Sequence, residues 1–74
     1  MKMKKVFELE ELDCAHCAMN MEDAIRKIEG VCSVSVNFLS QKLVIDAEEK
    51  DFAEILKKAQ KEIKKVDRAC RIIL

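Results

Sequence analysis

Val6-Phe7-Glu8-Leu9-Glu10-Glu11-Leu12-Asp13-Cys14-Ala15-His16-Cys17 changes its period partway along. Up to Leu12, Phe7 and Leu9 alternate with Glu8 and Glu10, the two-residue period of a strand with one buried face. From Cys14 to Glu29 the apolar residues recur at spacings of three and four: Cys17, Met21, Ala24, Ile25 and Ile28 form a helical stripe. Asp13 precedes that stripe, where an N-cap is favoured, and Gly30 stands where a left-handed cap would end it. The two cysteines therefore lie on a loop leading from a strand into a helix.

Downstream, Val34, Val36 and Phe38 alternate with Ser33, Ser35 and Asn37, which predicts a second strand over Val31 to Phe38. Leu39 to Lys42 reads as a turn and Leu43 to Ala47 as a third strand, the two strands making a hairpin. Phe52, Ile55, Leu56, Ala59, Ile63 and Val66 form a second helical stripe, opened by Asp51 or a nearby acid. Ala69 to Leu74, short and partly β-branched, reads as a fourth strand. The order β-α-β-β-α-β predicts an α+β, ferredoxin-like fold: two helices on one face of a four-stranded antiparallel sheet, with residues 1–74 as a single domain.

Composition removes several function classes. With 14 basic and 14 acidic residues the net charge is zero, and only three aromatics are present, so nothing attracts or stacks on nucleic acid. Lys2, Lys4 and Lys5 read as a solvated N-terminus. No stretch approaches the roughly 18–20 apolar residues of a membrane span. Met1 to Leu12 lacks the apolar core of a secretory signal, so a cytosolic, monomeric domain is expected. The four cysteines are expected to be reduced thiols rather than a disulfide framework. The acidic residues Asp46, Glu48, Glu49 and Asp51 lack the glycine and regular alternation of a calcium loop, and read as a solvated turn and helix start.

The chemistry concentrates at Asp13 to Cys17. Two cysteines at i and i+3 can turn both sulfurs toward one point, and a helix N-terminus favours thiolate, the form that binds metal. A redox dithiol and a pair of structural thiols are the rival readings. The redox reading is disfavoured because thioredoxin-like folds set a cis-proline beside the pair and this chain has no proline. His16, between the cysteines, is expected to face solvent. Cys32 and Cys70 fit no second metal motif and are expected to be buried or half-buried thiols, with Cys70 on an edge strand open to oxidation. Met21 belongs to the buried stripe, and Met19 should face outward.

Leu12 to Ala18, Met21-Glu22, Ile25, Ile28 to Val31, Val34 to Phe38 and Lys42 to Ile45 together resemble the heavy-metal-associated domain. That module is found in metallochaperones and at the N-terminus of metal-exporting P-type ATPases, and the resemblance covers nearly the whole chain. It implies Cys14 and Cys17 as metal ligands, with Leu12 in the place of a Met that packs beneath the loop. Three departures stand out: Glu11 replaces the usual Gly, Asp13 replaces the Thr common in copper-handling members, and no Tyr follows the second helix.

The last two of these departures point to the branch similar to zinc, cadmium and lead exporters. The ligand preferences of the ions point the same way. Cu⁺ is content with two thiolates, whereas Zn²⁺ prefers four ligands and accepts a carboxylate. Asp13 would supply a third ligand and a further negative charge, unless it serves only as the helix cap. The expected cargo is Zn²⁺ or Cd²⁺, with Pb²⁺ as a further candidate, and the expected setting is the cytosolic N-terminal domain of an exporting ATPase. The apolar end, Ile72-Ile73-Leu74, suits a piece of a longer protein. A freestanding Cu⁺ chaperone and a dithiol oxidoreductase are the alternatives. With no phosphorylated-aspartate motif, nucleotide loop or membrane helix, the chain is not expected to be an enzyme or a transporter by itself.

Overall fold

The computed structural model describes all 74 residues, Met1–Leu74. Its elements run β1 (Lys2–Glu10), α1 (Ala15–Arg26), β2 (Val31–Asn37), β3 (Lys42–Glu48), α2 (Phe52–Val66) and β4 (Arg71–Ile73), with a short 3₁₀ turn at Glu49–Asp51. The sheet is antiparallel in the order β2-β3-β1-β4, so the ferredoxin-like arrangement is the one the pattern called for.

One apolar layer between sheet and helices holds the fold together. Leu9, Leu43, Ile45, Ala47 and Ile72 from the sheet meet Ala18, Met21 and Ile25 of α1 and Phe52, Ile55, Ala59 and Ile63 of α2. Every buried residue is apolar, and no buried side-chain polar atom lacks a hydrogen-bond partner. Truncating a fully enclosed member such as Ile25 to Ala removes transfer energy and leaves a cavity, a loss of about 2–5 kcal/mol.

Several boundaries differ from the sequence reading, each for a physical reason. β1 begins at Lys2 because Lys2 to Lys5 pair with Glu48 to Ile45; the lysines are strand residues, with Lys2 and Lys4 exposed to solvent as expected. Met1 pairs its ammonium with Glu48 at 2.7 Å, and Lys5 lies 4.9 Å from the Phe52 ring centre. β1 stops at Glu10 because Glu11 adopts a φ of 57° and turns the chain out of the ladder. α1 ends at Arg26 rather than Glu29. A series of tighter turns, with the N–H groups of Lys27, Ile28 and Val31 donating to the carbonyls of Ala24, Ile25 and Ile28, carries the chain to Gly30. Gly30 has a φ of 100°, and a Cβ there would also meet the side chains of Ile55 and Asp51. Asp51 occupies the N-cap of α2 without a side-chain capping bond, because the 3₁₀ turn leads directly into the helix.

Each edge strand is tied to a helix side chain at one residue. The Glu22 carboxylate on α1 accepts from the Val36 N–H of β2 at 2.9 Å. On the opposite edge the Gln60 amide of α2 accepts from the Ile72 N–H of β4 at 2.8 Å and donates to the Ile72 carbonyl at 3.2 Å.

Candidate metal site

The site is assembled where β1 hands over to α1. After left-handed Glu11 the chain drops Leu12 completely into the core, which fixes the height of the loop above the sheet. A left-handed φ is unfavourable for any residue with a Cβ, by about 1–2 kcal/mol. Here it falls at the position where Gly would be at ease, so the loop carries this local strain against the burial of Leu12.

Cys14 is the N-cap of α1. Its backbone is extended, its carbonyl accepts the first helical bond from the Ala18 N–H at 3.0 Å, and its Sγ accepts from the Cys17 N–H at 3.0 Å. The capping role expected of Asp13 therefore belongs to Cys14, whose sulfur satisfies one of the orphan donors of the first turn. Asp13 stands exposed beside the loop and makes no side-chain hydrogen bond or ion pair.

Cys14 and Cys17 are both half-buried free thiols, and Cys17 also packs against the core. Their acidities are driven apart. The Cys17 thiol, then the backbone N–H groups of Cys17 and His16, hold Cys14 below the ordinary thiol value, against burial and the charge of Asp67. Cys17 is pushed up to about 11, first by its hydrogen bond to Cys14, then by burial and by the charges of Cys14 and Asp67. Of the two sulfurs, Cys14 is thus the one that gives up its proton more readily and Cys17 the one that holds it longer.

His16 is exposed, and only its backbone N–H supports Cys14. Met21 is fully buried and Met19 is two-thirds exposed, as their places on the helical period require. No three His, Cys, Asp or Glu side chains converge closely enough to hold an ion together; the two thiols adjoin, and the carboxylates stand further out.

Two expectations about the remaining cysteines are corrected. Cys32 is exposed, because it is the extra residue of a bulge: Val31 pairs with Ala47 and Ser33 with Asp46, so inward-outward alternation slips there. Cys70 is completely enclosed rather than open to oxidation. It shares the inward phase of Ile72, and burial, then the charges of Asp67, Asp13 and Cys17, push its thiol up to about 11.

Two residues near the site carried no functional reading in the sequence. Asp67, just past α2, bears on the acidity of Cys14, Cys17 and Cys70 alike. Its only sequence signal is that it belongs to the stretch Lys64 to Asp67, which lacks the Gly-Tyr pair the resemblance leads one to expect. Gln41, in the β2–β3 turn, bonds to the loop backbone from 29 residues away, and no local pattern announces it.

A ferredoxin-like sheet here carries two adjoining thiols at the start of its first helix, a donor set chemically suited to thiol-seeking metals. Residues 6–67 match the heavy-metal-associated domain, and the chain belongs to that family of metal-binding domains. It is 31% identical over 65 residues to a cadmium, zinc and cobalt-transporting ATPase of Bacillus subtilis, covering 88% of this chain and 9% of that protein. It is 42% identical over 50 residues to a zinc/cadmium/lead-transporting P-type ATPase of Escherichia coli, covering 68% of this chain and 7% of that protein. The copper chaperone CopZ of Enterococcus hirae is 34% identical over 47 residues, covering 64% of this chain and 68% of the chaperone. Among solved structures, the N-terminal domain of ZntA in its apo form superposes with a TM-score of 0.74 at 28% identity, covering 100% of this chain and 96% of that one. The chain thus spans less than a tenth of the ATPases it resembles.

Proposed function

We propose that this domain captures one soft or borderline divalent ion, Zn²⁺, Cd²⁺ or Pb²⁺, between Cys14 and Cys17, with Asp13 as a carboxylate ligand. The observation that carries the reading is the asymmetric thiol pair at the start of α1. Cys14 offers the first bond as thiolate. The incoming cation then displaces the proton of Cys17, so capture releases acid and strengthens as pH rises through neutrality. Asp13 is exposed and has no side-chain partner, which leaves its carboxylate available to the ion.

Charge selects among ions. Two thiolates and one carboxylate leave a divalent site with one net negative charge and a Cu⁺ site with two. Asp67 adds a further negative field at both sulfurs. Similarity to the zinc- and cadmium-transporting ATPases supports the same direction. In this reading the domain is the cytosolic N-terminal module of an exporting ATPase; it binds and hands over the ion, while other parts of the parent protein do the transport. A freestanding Cu⁺ chaperone is the second reading, favoured by the likeness to CopZ.

The test is titration of the reduced domain with Cd²⁺, followed by the thiolate-to-metal charge-transfer absorption. One ion per chain is expected, with the signal lost in Cys14→Ser and in Cys17→Ser and retained in Cys32→Ser. Undiminished binding in either of the first two variants sinks the proposed site.

A further inference from the structure

Gln41 sits at the end of the β2–β3 turn with a φ of 58°, a left-handed backbone that Gly or Asn would adopt more readily. What a glutamine supplies there is reach. Its side-chain Oε1 accepts from the Leu12 N–H at 3.1 Å, its Nε2 donates to the Leu12 carbonyl, and its own carbonyl accepts from the Leu9 N–H at 2.8 Å. A primary amide presents the same donor and acceptor as a peptide group, so Gln41 continues the β1–β3 ladder past the point where Glu11 breaks it. Leu12 is then held twice, by its side chain in the core and by both backbone groups at the hairpin. Cys14 follows two residues later. Asn would fall one methylene short, and Gly would remove the amide altogether.

We propose that Gln41 is a positioning residue for metal capture: the turn of the hairpin clamps Leu12, and through it holds Cys14 and Cys17 in their paired arrangement before the ion arrives. The clamp rests on the metal-capture reading for its purpose, but its geometry is independent of it. Preorganisation of this kind lowers the ordering that binding must otherwise impose on the loop.

The test compares wild type with Gln41→Gly and Gln41→Asn, both tolerant of the left-handed backbone. Amide exchange at Leu12 and Cys17, thermal midpoint, Cd²⁺ affinity by chelator competition, and Cd²⁺ release rate are read together. Expected are folded variants with thermal midpoints lowered by several degrees, faster exchange at the Cys17 N–H, and Cd²⁺ held about tenfold more weakly with correspondingly faster release. Tenfold is about 1.4 kcal/mol, the scale of one net hydrogen bond. If both variants hold Cd²⁺ within about twofold of wild type (close to half a kcal/mol) and Cys17 exchange is unchanged, Gln41 is only a turn residue and the proposal is overturned. Failure of both variants to fold overturns it too, because the clamp would then belong to the fold and not to the site. Should wild type itself take no Cd²⁺, the metal reading fails separately, and the clamp stands or falls on the Cys17 N–H alone.

Discussion

At Cys14 one sulfur serves both folding and chemistry. As the N-cap it accepts the Cys17 N–H that helix geometry leaves without a partner, and that same bond favours the thiolate needed for a metal. Cys17, three residues on, is pushed the other way, up to about 11, first by the hydrogen bond between its thiol and Cys14. Limited alkylation of the reduced domain at neutral pH, mapped by mass spectrometry, should therefore modify Cys14 well before Cys17, with enclosed Cys70 reacting last. Equal rates at Cys14 and Cys17 would refute the asymmetry. The cysteine pair was legible in the sequence because its spacing is local, and so was the outward His16. The identity of the cap was not: an aspartate before a helical stripe is a favoured cap, but here the extended residue that begins the helix is the next one. Asp67 and Gln41 were illegible for a different reason, since they reach the loop from distant parts of the chain.

Among the elements, alternation and helical period located all four strands and both helices. The errors fall where a single backbone event shifts the phase. The bulge at Cys32 turns an expected half-buried thiol outward, and the positive φ of Glu11 ends β1 two residues early. The short β4 is the element with least of its own to hold it, with three residues paired to β1. Gln60 compensates by bonding both backbone groups of Ile72 from α2. Replacing Gln60 by Ala should lower the unfolding free energy by about 1–2 kcal/mol. It should also speed exchange of the Ile72 amide while leaving Cd²⁺ affinity within error; urea denaturation and hydrogen exchange read these. A loss of metal affinity equal to that at the loop itself would contradict the separation of edge and site drawn here.

For the whole molecule, the three perturbed thiols make stability depend on pH in a definite sense. Cys14, whose folded value is lowered, contributes its full stabilisation above the ordinary value of 9.0. Cys17 and Cys70, both raised to about 11, contribute fully below 9.0 and lose that contribution as pH climbs through 11. Above pH 9.0, then, only the loss remains. The urea midpoint of the reduced domain should fall between pH 9 and 11, and fall less in Cys17→Ser. An identical slope in that variant would contradict the assignment for Cys17. Bound metal acts on the same balance from outside. An ion at a hundred times its dissociation constant stabilises the folded state by about 2.7 kcal/mol through mass action alone. Part of a small domain's working stability thus resides in its cargo.

A thiol pair reinforced by carboxylate charge should prefer a divalent ion to Cu⁺. The most direct test is a competition titration of the reduced domain with Zn²⁺, Cd²⁺ and Cu⁺, on wild type and on Asp13→Ala. Divalent ions should bind one per chain, and the substitution should weaken them by about tenfold or more while sparing or strengthening Cu⁺. If Cu⁺ outcompetes both divalent ions and Asp13→Ala leaves their affinities unchanged, the carboxylate is no ligand and the copper chaperone reading replaces this one.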